Sequence, residues 1–244
     1  MPRQSPESFA QTLEQVARLR PDRIALYAYA HLPERFKPQR RIVEQELPDA
    51  NSKVAMLSAA IAGFLGAGYV YVGMDHFALP TDSLAIAKRQ GRLHRNFQGY
   101  STQPDCDLIG LGVSAIGKIG AAYSQNAKTL EEYYDAIDAG QLPVQRGLAL
   151  SRDDMVRRAV IMAVMCQGAV LFEPREQAWL ISFREYFAPE MKALDEMQKN
   201  GLLTCDEEGF QVTALGWFFV RGVAMLFDRY LQADKTRARF SRII

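Results

Sequence analysis

Histidine, cysteine and tryptophan are scarce in this chain, with three, three and two copies among 244 residues. Cys106, Cys166 and Cys205 are odd in number and far apart. That spacing argues against a disulfide framework or a cysteine metal site and reads as reduced thiols. A net charge of +1 leaves no basic excess for a general nucleic-acid or anionic-membrane binder. No apolar run of about 18 residues is present and the first residues carry no signal sequence, so the chain reads as soluble and cytoplasmic. Its glycines fit neither the dinucleotide fingerprint nor a phosphate loop.

What is present is 48% hydrophobic and 23% charged residues, an ordinary globular balance. Ser5-Pro6-Glu7 signals a helix start, with Phe9, Leu13 and Val16 at helical spacing. Ile24 to Ala30 reads as a buried strand, and three prolines between residues 32 and 48 mark an irregular connection. A helix over 51–67, a strand over 69–74 and a helix over 83–90 follow. The glycine-rich run from Asp107 reads as a strand and tight loop, and 129–139 as a helix. This alternation predicts an α/β architecture with parallel strands. After Pro143 the text predicts helices over 152–167, 174–186 and 189–200, a hairpin over 201–213, and a final helix over 214–233. That order is winged-helix-like. A boundary near 150 divides the chain into residues 1–150 and 151–244.

The scarce histidines fall beside charged neighbours just after strand-like segments. Asp75-His76 suits a histidine whose tautomer is set for proton transfer or substrate holding; a hydrogen-bonded loop histidine is the plainer alternative. His94-Arg95-Asn96-Phe97-Gln98-Gly99-Tyr100 gathers a ring base, a guanidinium, amides and aromatics, a mixture that suits a flat ligand with carboxylates. The alternative is a polar loop with Phe97 in the core. Tyr27 and Tyr29 alternate with alanines and would share one face of the first strand, where core packing is favoured over a ligand cavity. Arg35, Lys37, Arg40 and Arg41 read chiefly as a solvated run, and Arg237, Arg239 and Arg242 invite the same caution. The tail beyond Lys235 ends in apolar residues, which suggests docking.

Tyr29-Ala-His-Leu-Pro33, Gly73-Met-Asp-His-Phe-Ala78, Leu93-His-Arg-Asn-Phe-Gln-Gly-Tyr100, Asp107 to Ile116 and Phe240 to Ile244 resemble, in order and spacing, one family. It is the oxygen-independent coproporphyrinogen III oxidases, radical S-adenosylmethionine enzymes of haem biosynthesis. The resemblance runs from Pro6 onward. Asn96 to Tyr100 also distinguishes the chain from related haem-chaperone-like proteins. The resemblance implies S-adenosylmethionine and a [4Fe-4S] cluster held by an upstream Cys-x3-Cys-x2-Cys motif. This chain lacks that motif, since its cysteines are 60 and 39 positions apart.

The chain therefore resembles the C-terminal portion: the last βα units of an incomplete parallel barrel, then a mainly helical domain. The family reaction converts two propionates of coproporphyrinogen III to vinyls, giving protoporphyrinogen IX. The resemblance carries Ala30 and Ile116 to S-adenosylmethionine contacts, and Phe97 and Gln98 to the reaction centre. Asp75, His76, His94 and Arg95 are inferred from their chemistry to bind substrate. No metal ligand is assigned in this chain. An isolated fragment is expected to be inactive and to self-associate through an opened barrel edge. The rival reading is a non-catalytic tetrapyrrole-binding or chaperone-like module; a winged-helix interaction protein that binds DNA ranks third.

Overall fold

A computed structural model describes residues 1–233. The apolar tail expected to dock lies outside the described residues, as does the terminal Phe240 to Ile244 stretch.

Helix α1 (Pro6–Leu19) starts at a reciprocal cap: the Ser5 hydroxyl accepts from the Ser8 N–H, and the Ser8 side chain accepts from the Ser5 N–H. Arg20, in the left-handed region at φ 47°, ends it. Strand β1 (Arg23–Ala25) follows, then an irregular segment with two 3-10 turns, Lys37–Arg41 and Glu44–Glu46. Helix α2 (Ala50–Gly66) is capped by Asp49 and packs on α1, whose Phe9, Leu13 and Val16 cover Phe64, Tyr69 and Phe77. The strands β2 (Val70–Gly73) and β3 (His76–Ala78) and the helix α3 (Ser83–Arg89) come next.

The sheet order is β1-β3-β2, and both pairings are antiparallel. This corrects the expectation of parallel strands. Gly73 and Met74, at φ 156° and 49°, reverse the chain so that β3 folds back along β2. The Tyr71 hydroxyl holds that reversal by donating to the Met74 carbonyl at 2.5 Å. The first strand is also shorter than expected. Beyond Leu26, Gln39 takes up main-chain groups a neighbouring strand would use: its Nε2 donates to the Ala30 carbonyl and its Oε1 accepts from the Leu32 N–H.

A hairpin of β4 (His94–Asn96) and β5 (Gly99–Ser101) precedes a second antiparallel sheet. That sheet comprises β6 (Ile116–Ile119), β7 (Ala122–Asn126) and, after α4 (Leu130–Asp138), β8 (Val144–Ala149). The glycine-rich run before β6 is not a strand; it makes one bridge, Leu108 to Lys118. Its glycines permit close backbone approach: a Cβ on Gly110 would lie 2.8 Å from the Ile116 carbonyl oxygen. Asn126, nearly buried, donates to the carbonyls of Gly110 and Gly112 and holds the loop.

Helix α5 (Arg152–Gln167) begins at a second reciprocal cap, Ser151 with Asp154, and ends at Gly168. Next come β9 (Ala169–Leu171), α6 (Phe172–Trp179), α7 (Phe183–Tyr186), α8 (Ala188–Lys199), β10 (Leu203–Cys205), β11 (Gly209–Val212), α9 (Val220–Leu226) and α10 (Arg229–Ala233). The helix expected over 174–186 is broken at Leu180, which adopts φ 50°. The final helix is likewise divided, by a 3-10 turn at Gly216–Phe219 and a break before Arg229. The hairpin gains a third strand, in the order β10-β11-β9. Phe172, Phe183, Phe187, Phe210 and Phe227 form the centre of the largest core cluster, and burying each contributes about 1.5–3 kcal/mol.

Candidate functional site

The reversal after β2 places Asp75 and His76 side by side. Asp75 Oδ1 lies 2.5 Å from His76 Nδ1, and both side chains are largely buried. The carboxylate fixes the orientation of the ring and favours a proton on Nδ1. Tyr27 and Tyr100 meet the imidazole edge-on, at 6.1 and 5.3 Å between centroids. Gly99 leaves space there; a Cβ on it would come within 3.3 Å of His76 Nε2.

The Tyr100 ring also carries the Arg95 guanidinium, 4.8 Å from the centroid. Burial pushes the Tyr100 hydroxyl well above the ordinary phenol range. Arg95 Nη1 is buried and has no partner among the described residues. It is an unsatisfied hydrogen-bond donor, which costs roughly 1–3 kcal/mol or more. Tyr27, His76, Tyr100 and Arg95 thus form one continuous row of contacts.

Arg95 also lines a cleft of about 790 Å³ between the β4–β5 hairpin, β6 and helices α5, α9 and α10. His94 and Phe97 line it too. Asp75, His76, Gln98, Ala30 and Ile116 are not among its lining residues. Phe97 is 53% exposed and packs edge-on against Tyr123 at 5.3 Å. Gln98 is exposed in the same turn, where its N–H donates to Asn96 Oδ1 at 2.9 Å. Ala30 is exposed beside the Gln39 clamp, and Ile116 opens β6 half-buried. Tyr27 and Tyr29 lie beyond the end of β1 rather than on it.

Several site residues escaped the sequence reading. Arg158 of α5 donates to both oxygens of Asp105, each at 2.6 Å, and its Nε donates to the Tyr123 hydroxyl at 2.8 Å. Lys118 donates to the same carboxylate at 2.8 Å. These bonds, Arg158's first, hold Asp105 down at about 2. The available signal was the pair Arg157-Arg158 in the middle of a helix otherwise lined with valine, alanine and methionine. Lys88 was also missed: its ammonium donates to the carbonyls of Tyr71 and Val72 and lies 4.3 Å from the Trp217 ring centroid. Burial lowers it to about 8.

The described residues do not fit an iron–sulfur cluster. No three histidine, cysteine or carboxylate side chains gather as metal ligands among them. Cys106 is exposed, Cys205 half-buried, and Cys166 buried with its thiol pushed up to about 12. No helix among the described residues is long and apolar enough to cross a membrane.

The structure is similar to that of a protein of the radical S-adenosylmethionine class, described as the coproporphyrinogen III oxidase HemN from Escherichia coli. The TM-score is 0.91 at 49% identity, covering 95% of this chain and 53% of that one. A family model described as the HemN C-terminal domain matches residues 150–219. Similarity over the whole of this chain extends to proteins named oxygen-independent coproporphyrinogen III oxidase. Those of Escherichia coli K12 and Pseudomonas aeruginosa are 48% and 49% identical over all of this chain. The one from Thermostichus vulcanus is 41% identical, and the match covers 75% of its length. The chain belongs to the oxygen-independent coproporphyrinogen III oxidase family. It spans about half, 53%, of the length of the first two of these relatives.

Proposed function

We propose that this chain supplies the C-terminal portion of an oxygen-independent coproporphyrinogen III oxidase and holds the tetrapyrrole substrate in the cleft beside Arg95. One observation carries the reading: a cleft of tetrapyrrole scale, lined by Arg95, Lys118, Arg158 and Arg221 together with Phe97 and Tyr123. Coproporphyrinogen III is a cyclic tetrapyrrole with four carboxylates, so cations at the rim and ring faces inside match its chemistry. The reaction is oxidative decarboxylation of two propionates to vinyls. In the complete enzyme, S-adenosylmethionine and a cluster supply the radical oxidant, and the cluster ligands come from outside this chain.

Here the chain's residues bind, orient and exclude water. Arg95, at the cleft wall, is the cation for one propionate, with Tyr100 fixing the guanidinium plane. His94, at the cleft wall, offers a second polar contact. Asp75 orients His76 so that Nε2 accepts from a pyrrole N–H at the far end of this row of side chains. Phe97 and Gln98, at the tip of the β4–β5 turn, face the reacting propionate, and Phe97 shields it from water. Ala30, which is exposed, and Ile116, half-buried at the start of β6, would contact bound S-adenosylmethionine. In this reading residues 1–150 form the barrel side and those from 151 onward the covering side. The protein acts in the cytoplasm. Exposed strand β8, an edge of its sheet, offers a surface for self-association.

The test joins this chain to the upstream half of the Escherichia coli relative, reconstitutes the product anaerobically, and follows protoporphyrinogen IX. Turnover, lost in Phe97→Ala and Gln98→Ala variants, is expected. The chain alone should give none. Coproporphyrin binding without turnover in the joined protein would select the tetrapyrrole-binding module instead.

A further inference from the structure

Around Asp105 the usual arrangement of a surface ion pair is inverted. The two cations are the sheltered partners, with side chains 12% (Lys118) and 25% (Arg158) exposed, while the carboxylate is 47% exposed. Both cations sit on regular elements, Lys118 on β6 and Arg158 on α5. Asp105 sits in the irregular segment between β5 and β6. One carboxylate therefore faces two fixed cations and leaves one positive charge in excess. Sheltered cations demand an anion, because an unpaired buried charge is strongly unfavourable.

All three side chains line the 790 Å³ cleft, and a second cavity of about 350 Å³ borders the same three and His94. Asp105 can leave its partners without opening a packed core. Tyr123, which accepts from Arg158, touches Phe97. The cation pair is thus one residue removed from the turn proposed to face the reaction.

We infer that Arg158 and Lys118 form a carboxylate-anchoring point of the cleft, that Asp105 occupies it when no ligand is bound, and that a ligand carboxylate displaces Asp105. Asp105 is then a positioning residue that sets selectivity. A single weak carboxylate cannot compete with it, whereas a polycarboxylate held elsewhere by Arg95 presents its second group at high local concentration. The identity of the ligand as a carboxylated tetrapyrrole rests on the proposed function; the anchoring point does not.

Titration of the purified chain tests this, with coproporphyrin III followed by fluorescence and benzene-1,2,4,5-tetracarboxylate by calorimetry. Asp105→Asn should bind both ligands about tenfold more tightly, and Arg158→Gln about tenfold more weakly, the scale of one charged hydrogen bond. Coproporphyrin tetramethyl ester should not respond to either change. A gain of affinity on removing a charge is not a consequence of misfolding, so Asp105→Asn decides even if Arg158→Gln fails to fold. Equal or weaker binding of both carboxylates by Asp105→Asn overturns the inference. If the wild-type chain binds coproporphyrin but Asp105→Asn gains nothing, the anchoring point falls and the proposed function survives. A gain confined to the benzene carboxylate, with no porphyrin bound, keeps the anchoring point and removes the proposed function.

Discussion

The Tyr100 hydroxyl donates to the main-chain carbonyl of Met165 at 2.8 Å, across 65 positions of sequence. The bond is buried and satisfies a carbonyl in the last turn of α5, where the helix has no partner of its own. It also fixes the ring on which Arg95 and His76 rest. Tyr100→Phe keeps the ring and removes the donor. It should lower unfolding free energy by about 1–3 kcal/mol, read as a reduced urea midpoint with an unchanged slope. Tyr100→Ala should cost more and also loosen Arg95.

Gly168 ends α5 at φ 69°, and a Cβ on it would stand 2.4 Å from the Trp217 ring. Gly201 has a similar φ of 71° with nothing within 4 Å of its Cβ position. Gly168→Ala should cost about 2–5 kcal/mol, from backbone strain and overpacking together. Gly201→Ala should show only the strain, about 1–2 kcal/mol. Thermal unfolding of the two variants separates the contributions.

Asp105 titrates at about 2 in the folded chain against an ordinary 3.8, because Arg158 and Lys118 hold its charge. As pH falls, the unfolded chain takes up this proton first, so the contribution is present above about pH 4 and lost on the way down to about pH 2. Asp105→Asn has no such proton to bind. Urea unfolding between pH 6 and 2 should show the wild-type advantage over Asp105→Asn shrinking across that window, and a constant gap would contradict the pairing.

The cysteines should react in the order of their surroundings. Cys106 is exposed, whereas burial raises Cys205 and pushes Cys166 up to about 12. With a disulfide reagent at pH 8, one thiol should react quickly, a second slowly, and Cys166 only after unfolding. Mass spectrometry of the labelled peptides assigns them.

Part of the candidate site could be read from the sequence, because those residues are local: His94, Arg95 and Phe97 line the cleft, whereas Asp75, His76, Gln98, Ala30 and Ile116 do not. Asp75 with His76 and His94 through Tyr100 are contiguous runs of unusual composition, and the structure places each in one loop or hairpin. Helices α1, α2, α3, α5 and α8 were legible for the same reason: caps at Ser5 and Ser151 and apolar spacing act within a few turns. The parallel strands expected from the alternation of elements are not present among the described residues. Direction is a property of the pair, and the reversal at Gly73 and Met74 turned β3 against β2. The single final helix was also not found, since the apolar residues from Trp217 to Phe227 satisfy several short elements as well as one long one.

By itself, the sequence determined what is encoded within a few residues: the capped helices, the Asp-His pair, the His-Arg-Asn-Phe-Gln-Gly-Tyr run and the family resemblance. Tertiary structure decided which charges meet. Arg158 and Asp105 are 53 positions apart and Tyr100 and Met165 are 65. Such contacts depend on where packing brings distant elements, not on local preference. An arginine inside an apolar helix is only a charge until the fold supplies the carboxylate it faces.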